Sequence, residues 1–166
     1  MVERFADNKE VEGSIPSAPT KIKMLKLDKE KSALLIIYKK QAENCFIYFQ
    51  KRGMDIPNSP GVFGFFGGSI DGDETPEQAL LREIKEELNI IFKDFWHLGN
   101  YEIGNKVLYV YCQEVKEGFV DKVNVLEGDY GKWFSKEEIL ANENFEKEFV
   151  EGDKKMIIDF FEKLGL

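Results

Sequence analysis

"GGSIDGDETPEQALLREIKEELNI", residues 67–90, runs from a glycine pair through an acidic turn into a segment carrying Arg82, Glu83, Glu86 and Glu87. The segment has a legible helical start. Thr75 suits the N-cap, Pro76 suits the first helical position, where its missing N–H would be unpaired anyway, and Gln78 reaches back to close a capping box. This predicts a helix over 76–88. At about 100° per residue, Leu80, Leu81, Ile84 and Leu88 share one arc, and Glu83, Glu86 and Glu87 share the next. One face packs while its neighbour presents acid.

Working outward, "KIKMLKL" (21–27) alternates polar and apolar, "SALLIIY" (32–38) is continuously apolar, and "CFIYFQ" (45–50) is aromatic and branched. These read as three strands, the last two joined in a hairpin by "KKQAEN" (39–44). "GMDIPNSPG" (53–61) is a loop broken by glycines and prolines, and "VFGFF" (62–66) is a short strand feeding the glycine pair. Downstream, 91–101 and 106–115 read as a second hairpin around "EIGN", and "KWFS" (132–135) as a last short strand. Ser135 and Glu138 form another capping box, opening a helix at 136–141. "EKEFVEGDKKMIIDFFEKL" (146–164) reads as one C-terminal helix, with Met156, Ile157, Phe160, Phe161 and Leu164 as its core stripe.

The 166 residues suit one domain, and 43% hydrophobic with 13% aromatic content is enough to build a sizeable core. Residues 1–19, with their Ser/Pro-rich "EGSIPSAPT", are expected to form a flexible tail, and residues 20–166 the domain. A formal charge of −8 argues against a nucleic-acid polymer as partner, because such binding rests on dense Lys and Arg. No run approaches the length of a membrane span, and residues 1–20 hold no signal-type apolar core, so a cytoplasmic protein is expected. Cys45 and Cys112 are read as core thiols in a reducing compartment.

The crowded acids need a reason. Like charges on one helical arc repel by a few tenths of a kcal/mol per pair, roughly, and Arg82 and Lys85 relieve only part of this. A solvated charged face is the ordinary reading of a Glu/Lys-rich helix. Here, however, the acids directly follow a strand, a glycine pair and an acidic turn. A hard divalent cation explains such a cluster, since Mg²⁺ or Mn²⁺ prefers oxygen ligands and shares its shell among one or two carboxylates, waters and a substrate phosphate.

From Gly68 the order is Gly, five residues, Glu74, seven residues, then Arg82-Glu83-Ile84-Lys85-Glu86-Glu87-Leu88-Asn89-Ile90. This closely resembles the 23-residue box of the Nudix hydrolases, including its MutT-like members. The strand order, the "WFS" strand and the closing helix extend the resemblance over roughly 21–166. It implies an α/β fold, the Nudix α/β/α sandwich with a mixed β-sheet. Three positions depart from the family pattern. Asn89 stands where Gly is usual, at a left-handed helix end that Asn also tolerates. Phe66 replaces a common Pro. Asp73 replaces the Gly before Glu74, with Gly72 one place earlier. None removes a ligand.

By resemblance, Glu86 and Glu87 are the principal Mg²⁺ ligands, Glu83 is a further ligand or the base that activates water, and the Gly67 carbonyl is another ligand. Arg82 belongs to the catalytic set by holding a box carboxylate, Glu74 or Glu83, in orientation. A loop glutamate often joins the site, and Glu127 is the best placed, ahead of Glu114 and Glu117. The implied reaction is attack of water on a nucleoside diphosphate linked to another group X, with a nucleoside triphosphate or a modified one preferred and ADP-ribose or a nucleotide sugar as alternative. A nucleotide-binding regulatory module without turnover is a third reading. Phe46, Tyr48, Phe63 and Phe65 read as core more readily than as pocket walls, and His97 as structural. Trp133 and Phe134 do not select a substrate. Homodimers are frequent in the family, but no segment here marks an interface.

Overall fold

The computed structural model describes residues 28–166. The strand read at 21–27 and the tail at 1–19 lie outside the described residues. Seven strands and four helices follow in the order β1 (Glu30–Gln41), β2 (Asn44–Lys51), β3 (Phe63–Gly64), β4 (Phe66–Ser69), α1 (Pro76–Leu88), β5 (Trp96–Ile103), β6 (Lys106–Glu114), β7 (Tyr130–Ser135), α2 (Lys136–Leu140), α3 (Phe145–Glu148) and α4 (Asp153–Lys163).

The sheet is mixed. β1 runs parallel to β6, with Leu35 opposite Tyr111, and is antiparallel to β2 and β4 on its other edge, the first half facing β4 and the second half β2. β2 also pairs with β3 and, along its far edge, with β7. β5 pairs with β6 and is the outermost strand on that side among the described residues. Because β1 is central and covered on both faces, its apolar run is continuous rather than alternating. Ala33, Leu35 and Ile37 point into a cluster with Phe66, Ala79, Leu80, Ile84, Leu88 and Tyr111 beneath α1. Ile36 and Tyr38 point the other way, into a larger cluster with Phe49, Phe134, Phe145, Met156, Ile157 and Phe160 beneath α3 and α4. Helices on both faces of a mixed sheet make the α/β/α sandwich expected from the sequence.

Four details differ from the sequence reading. The β1–β2 hairpin is tighter, with Gln41 opposite Asn44 and only Ala42 and Glu43 in the turn. The 62–66 strand divides at Phe65 into β3, which serves the end of β2, and β4, which serves the start of β1. β5 begins only at Trp96. The C-terminal helix is two helices. Phe149 is extended and forms a parallel bridge to Phe63, the Val150 N–H donates to the Phe63 carbonyl at 2.9 Å, and Gly152 at φ 89° starts α4. Helical periodicity carried across this break because Phe149 still faces the core, where it packs on Phe49, Phe63, Phe134 and Phe145.

Candidate functional site

β4 ends and α1 begins around a strained, glycine-dependent approach of backbone to carboxylate. Gly67 sits at φ 114°, and a Cβ there would fall 2.2 Å from the Ala33 carbonyl oxygen of β1. Its N–H donates to Glu87 Oε2 at 2.7 Å. Gly68 is equally constrained from the other side, since a Cβ would lie 2.5–2.7 Å from the Glu83 carboxyl atoms. The glycine pair therefore lets one helix bring two glutamates against the strand.

α1 starts as its sequence dictates. The Thr75 hydroxyl accepts from the Gln78 N–H at 3.2 Å, the Gln78 side chain accepts from the Thr75 N–H at 2.9 Å, and Pro76 opens the first turn. Asn89 closes the helix at φ 53°, ψ 33°, its N–H donating to the Lys85 carbonyl, so the left-handed cap forms without glycine. Leu80, Ile84 and Leu88 are fully buried, each contributing about 1.5–3 kcal/mol by burial. The faces differ slightly from a simple wheel: Leu81 is only half-buried, while Glu87 is 5% exposed and Ala79 completes the packed side.

Arg82 organises the acids. Its Nε and Nη2 donate to both Glu74 oxygens at 2.9 Å, Nη1 donates to Glu83 Oε1 at 2.7 Å, and Nη2 also reaches the Ser69 carbonyl at 2.9 Å. Asp71 lies 3.4 Å away and Glu86 3.9 Å away. The guanidinium thus ties the acidic turn, the end of β4 and the acid face of α1 into one unit, using the fork geometry that Lys lacks. Its bonds hold the Glu74 carboxyl down at about 2. Glu83 shifts the opposite way, because burial outweighs the Arg82 contact and the charges of Glu86 and Glu127 add to it. Burial pushes Glu87 up to about 8 against the Gly67 N–H, with the Glu83 and Glu127 charges adding to the rise.

Those shifts place Glu127 electrically beside Glu83 and Glu87. Its backbone is pinned there: the Gln50 side chain donates to the Glu127 carbonyl at 2.6 Å, and the Leu126 N–H donates to the Glu87 carbonyl at 2.7 Å. Gln50 was not singled out from the sequence, although a polar residue closing the aromatic run "CFIYFQ" is a signal of its kind. It is 4% exposed, and its side chain lies near enough to Glu87 to oppose slightly the rise in that carboxyl's proton affinity. Glu114 lies elsewhere, within 3.5 Å of the Tyr38 hydroxyl. Tyr48, Phe63 and Phe65 are core residues, as expected, and Phe46 is half-buried. His97 bonds Asn100 at 2.8 Å on β5.

The profile of the NUDIX domain matches residues 28–160 of this chain. The chain is a member of the Nudix hydrolase family. Among curated relatives, the 8-oxo-dGTP diphosphatase of Haemophilus influenzae is 31% identical over 101 residues, 58% of this chain and 71% of that protein. The MutT protein of Methanosarcina mazei superposes with a TM-score of 0.66 over 86% of this chain and 99% of its own, at 20% identity. The Nudix domain of NrtR from Shewanella oneidensis, in a structure complexed with ADP ribose, gives 0.65 over 82% and 88%, at 16% identity. These structural likenesses establish the Nudix fold, with α1 as the box helix.

Does this Nudix box fit a divalent cation? Among the described residues no group of three or more His, Cys, Asp or Glu side chains is placed to hold a metal ion as the side chains stand, so a cation here would draw on fewer carboxylates together with other oxygens. Glu83 is held by Arg82 and Glu87 by the Gly67 N–H, while the Glu86 side chain is 53% exposed. An open, all-oxygen set of this kind suits Mg²⁺, which keeps waters and takes substrate oxygens alongside one or two carboxylates. A nearby cation also reverses the raised proton affinity of buried, mutually repelling carboxylates.

Among the described residues no helix is long and apolar enough to cross a membrane.

Proposed function

We propose that this Nudix hydrolase is a Mg²⁺-dependent pyrophosphohydrolase whose preferred substrate is a nucleoside triphosphate with a modified base. The observation that carries the reading is Glu87, a buried carboxylate fixed by a backbone N–H that only a glycine can supply, with Glu83 and Arg82 beside it. A carboxylate kept so far from water is costly unless a charged ligand compensates it. The relationship to a protein named 8-oxo-dGTP diphosphatase supports a modified nucleotide as the substrate class.

In this reading Glu86 and Glu87, with Glu83, Glu127 and the Gly67 carbonyl, hold the cation. When bound, Mg²⁺ would neutralise phosphoryl charge and acidify water. The protein's own work is positioning. Arg82 fixes Glu74 and Glu83 so that neither swings away, and does not itself meet the substrate. Glu83, oriented by Arg82, takes the proton from the attacking water where it is not itself a ligand of the cation. Water adds to phosphorus as one P–O bond of the anhydride breaks, giving a nucleoside monophosphate and pyrophosphate. The acidic protein can bind a polyanion because cations stand between them.

The test is product identification after incubation with Mg²⁺ and a panel of nucleoside triphosphates, oxidised dGTP, nucleotide sugars including ADP-ribose, and dinucleoside polyphosphates. Oxidised dGTP yielding the monophosphate and pyrophosphate is the expected result. Selective cleavage of ADP-ribose or another nucleotide sugar would replace the substrate assignment. Saturable binding without turnover on any member would instead make the domain a regulatory module.

A further inference from the structure

Among the described residues two buried side-chain polar atoms lack a hydrogen-bond partner, Asp153 Oδ2 and Gln113 Oε1. Gln113 follows Tyr111 by two positions on β6, so it shares the sheet face on which Tyr111 packs beneath α1. Its Nε2 donates to the Glu114 carbonyl at 2.7 Å. Because a carbonyl can only accept, the amide cannot be turned over, and Oε1 is left as an acceptor on a residue 9% exposed. A buried acceptor in that state is unfavourable unless something brings it an N–H.

The register sets Gln113 in a row across the sheet. It lies opposite Ile37 of β1, Ile37 lies opposite Tyr48 of β2, and Tyr48 lies opposite Trp133 of β7. Gln113 and Tyr48 therefore flank Ile37 at two inter-strand spacings, about 10 Å, which suits a flat ring system with a hydrogen bond at its edge. Two residues further along β2, about 7 Å away, Gln50 holds the Glu127 carbonyl at 2.6 Å. The Tyr48 ring leans toward that end, since its hydroxyl lies over Gly131, where a Cβ would come within 2.0 Å of it. A nucleotide lying along β2 thus places its base over the row and its phosphates at the acid face of α1. The row is covered by one side chain on a loop. Phe119 sets its ring edge-on to Tyr48 and Trp133, with centroids 5.9 and 6.4 Å away. It is only half-buried and follows Gly118 at φ 79°.

We propose that Gln113 reads the base: Oε1 accepts an N–H from the base edge, while Phe119 lifts from Tyr48 and Trp133 to admit the ring and stacks on it. This deepens the nucleotide reading above and rests on it. A reader that can only accept separates two bases where one carries an N–H and the other a lone pair. Guanine presents N7 as an acceptor, and oxidation at C8 places a hydrogen on N7. Gln113 meets the oxidised base with a hydrogen bond and the unmodified base with two opposed lone pairs. The ligand class is a purine nucleotide oxidised at C8.

Isothermal titration of the full chain with dGMP and with its C8-oxidised form, in Mg²⁺, tests this on reaction products and so needs no turnover. The unmodified protein is expected to bind the oxidised monophosphate at least about tenfold more tightly, and Gln113→Met, close in volume but without the amide, to bind the two within about twofold of each other. Phe119→Ala should weaken both by about tenfold and keep the preference. In the unmodified protein the NMR signal of the Gln113 side-chain amide should shift on adding the oxidised monophosphate, a result that does not depend on the Met variant folding. A preference retained in folded Gln113→Met, an amide signal unmoved at saturation, or no binding of the oxidised monophosphate would each overturn the proposal. Cleavage of oxidised dGTP with the preference intact in Gln113→Met would overturn this assignment alone. Loss of the preference in Gln113→Met, with no cleavage of any nucleotide by the unmodified protein, would overturn the hydrolytic reading and keep the base site.

Discussion

Replacing Gly67 with Ala tests whether the carboxylate site depends on backbone shape. The new Cβ would stand 2.2 Å from the Ala33 carbonyl oxygen and 3.0 Å from the Leu34 Cα, both backbone atoms of the central strand. Neither can rotate away, so β4 must move by about 1 Å to reach ordinary contact. Holding a non-glycine residue at φ 114° costs about 1–3 kcal/mol. Displacing β4 also weakens the 2.7 Å bond from the Gly67 N–H to the buried Glu87 carboxyl, and leaving that bond unmade costs about 1–3 kcal/mol. Together these give an expected loss of about 3–5 kcal/mol, a Tm lower by about 10 °C in a chain of this size. Gly72 is the control: its φ is 51°, but a Cβ there meets nothing within 4 Å, so Gly72→Ala should cost only about 1–2 kcal/mol. Urea denaturation in the presence of a chelator measures both variants free of metal. A second series with Mg²⁺ should show that Gly67→Ala also loses most of the stabilisation the metal gives. Equal costs for the two substitutions would refute the reasoning.

Three further outcomes follow from the same geometry. Arg82→Lys keeps the charge but cannot bind both Glu74 oxygens while also holding Glu83 and the Ser69 carbonyl; steady-state kinetics should show turnover reduced by about 10–100-fold, with Tm changed little. Thr75→Ala removes the hydroxyl half of the capping box and should cost about 1 kcal/mol in urea denaturation. Asp153 is 2% exposed, its Oδ2 has no hydrogen-bond partner among the described residues, and burial holds its carboxyl well above the usual range despite the opposing charge of Arg52. The folded state keeps a proton there that the unfolded chain releases, so this residue's destabilising effect is absent below about pH 4 and grows as pH rises above it. Asp153→Asn should therefore match the unmodified protein in acid and be more stable by about 1–3 kcal/mol at neutral pH, whereas a gap that widens toward acid would contradict the assignment.

What the sequence made legible was local. The α1 boundaries follow from Thr75, Pro76, Gln78 and Asn89, all acting through backbone bonds within a few residues of themselves. The same holds for the Ser135–Glu138 box that opens α2. The break before α4 was not legible, because Phe149 keeps the apolar period while leaving the helix to bridge Phe63, a partner distant in sequence. Nor could a helical wheel tell that Glu87 would be buried and Glu86 exposed. That difference is set by Gly67 on β4, which draws Glu87 inward, and by Gln50 on β2, which helps fix the neighbouring loop. The box motif pointed to the chemistry, while tertiary contacts decided which acid lies deepest.

Glu86→Gln offers the most direct test of the central claim, that the acid face of α1 is a metal-dependent hydrolytic site. The Glu86 side chain is 53% exposed and only distantly paired with Arg82, at 3.9 Å, so losing its charge should leave Tm within about 2 °C. Mg²⁺-dependent release of pyrophosphate from the nucleotide that the panel identifies should nevertheless fall by about 100-fold or more. Turnover within a factor of about two of the unmodified protein, at the same Mg²⁺ concentration, would contradict the account.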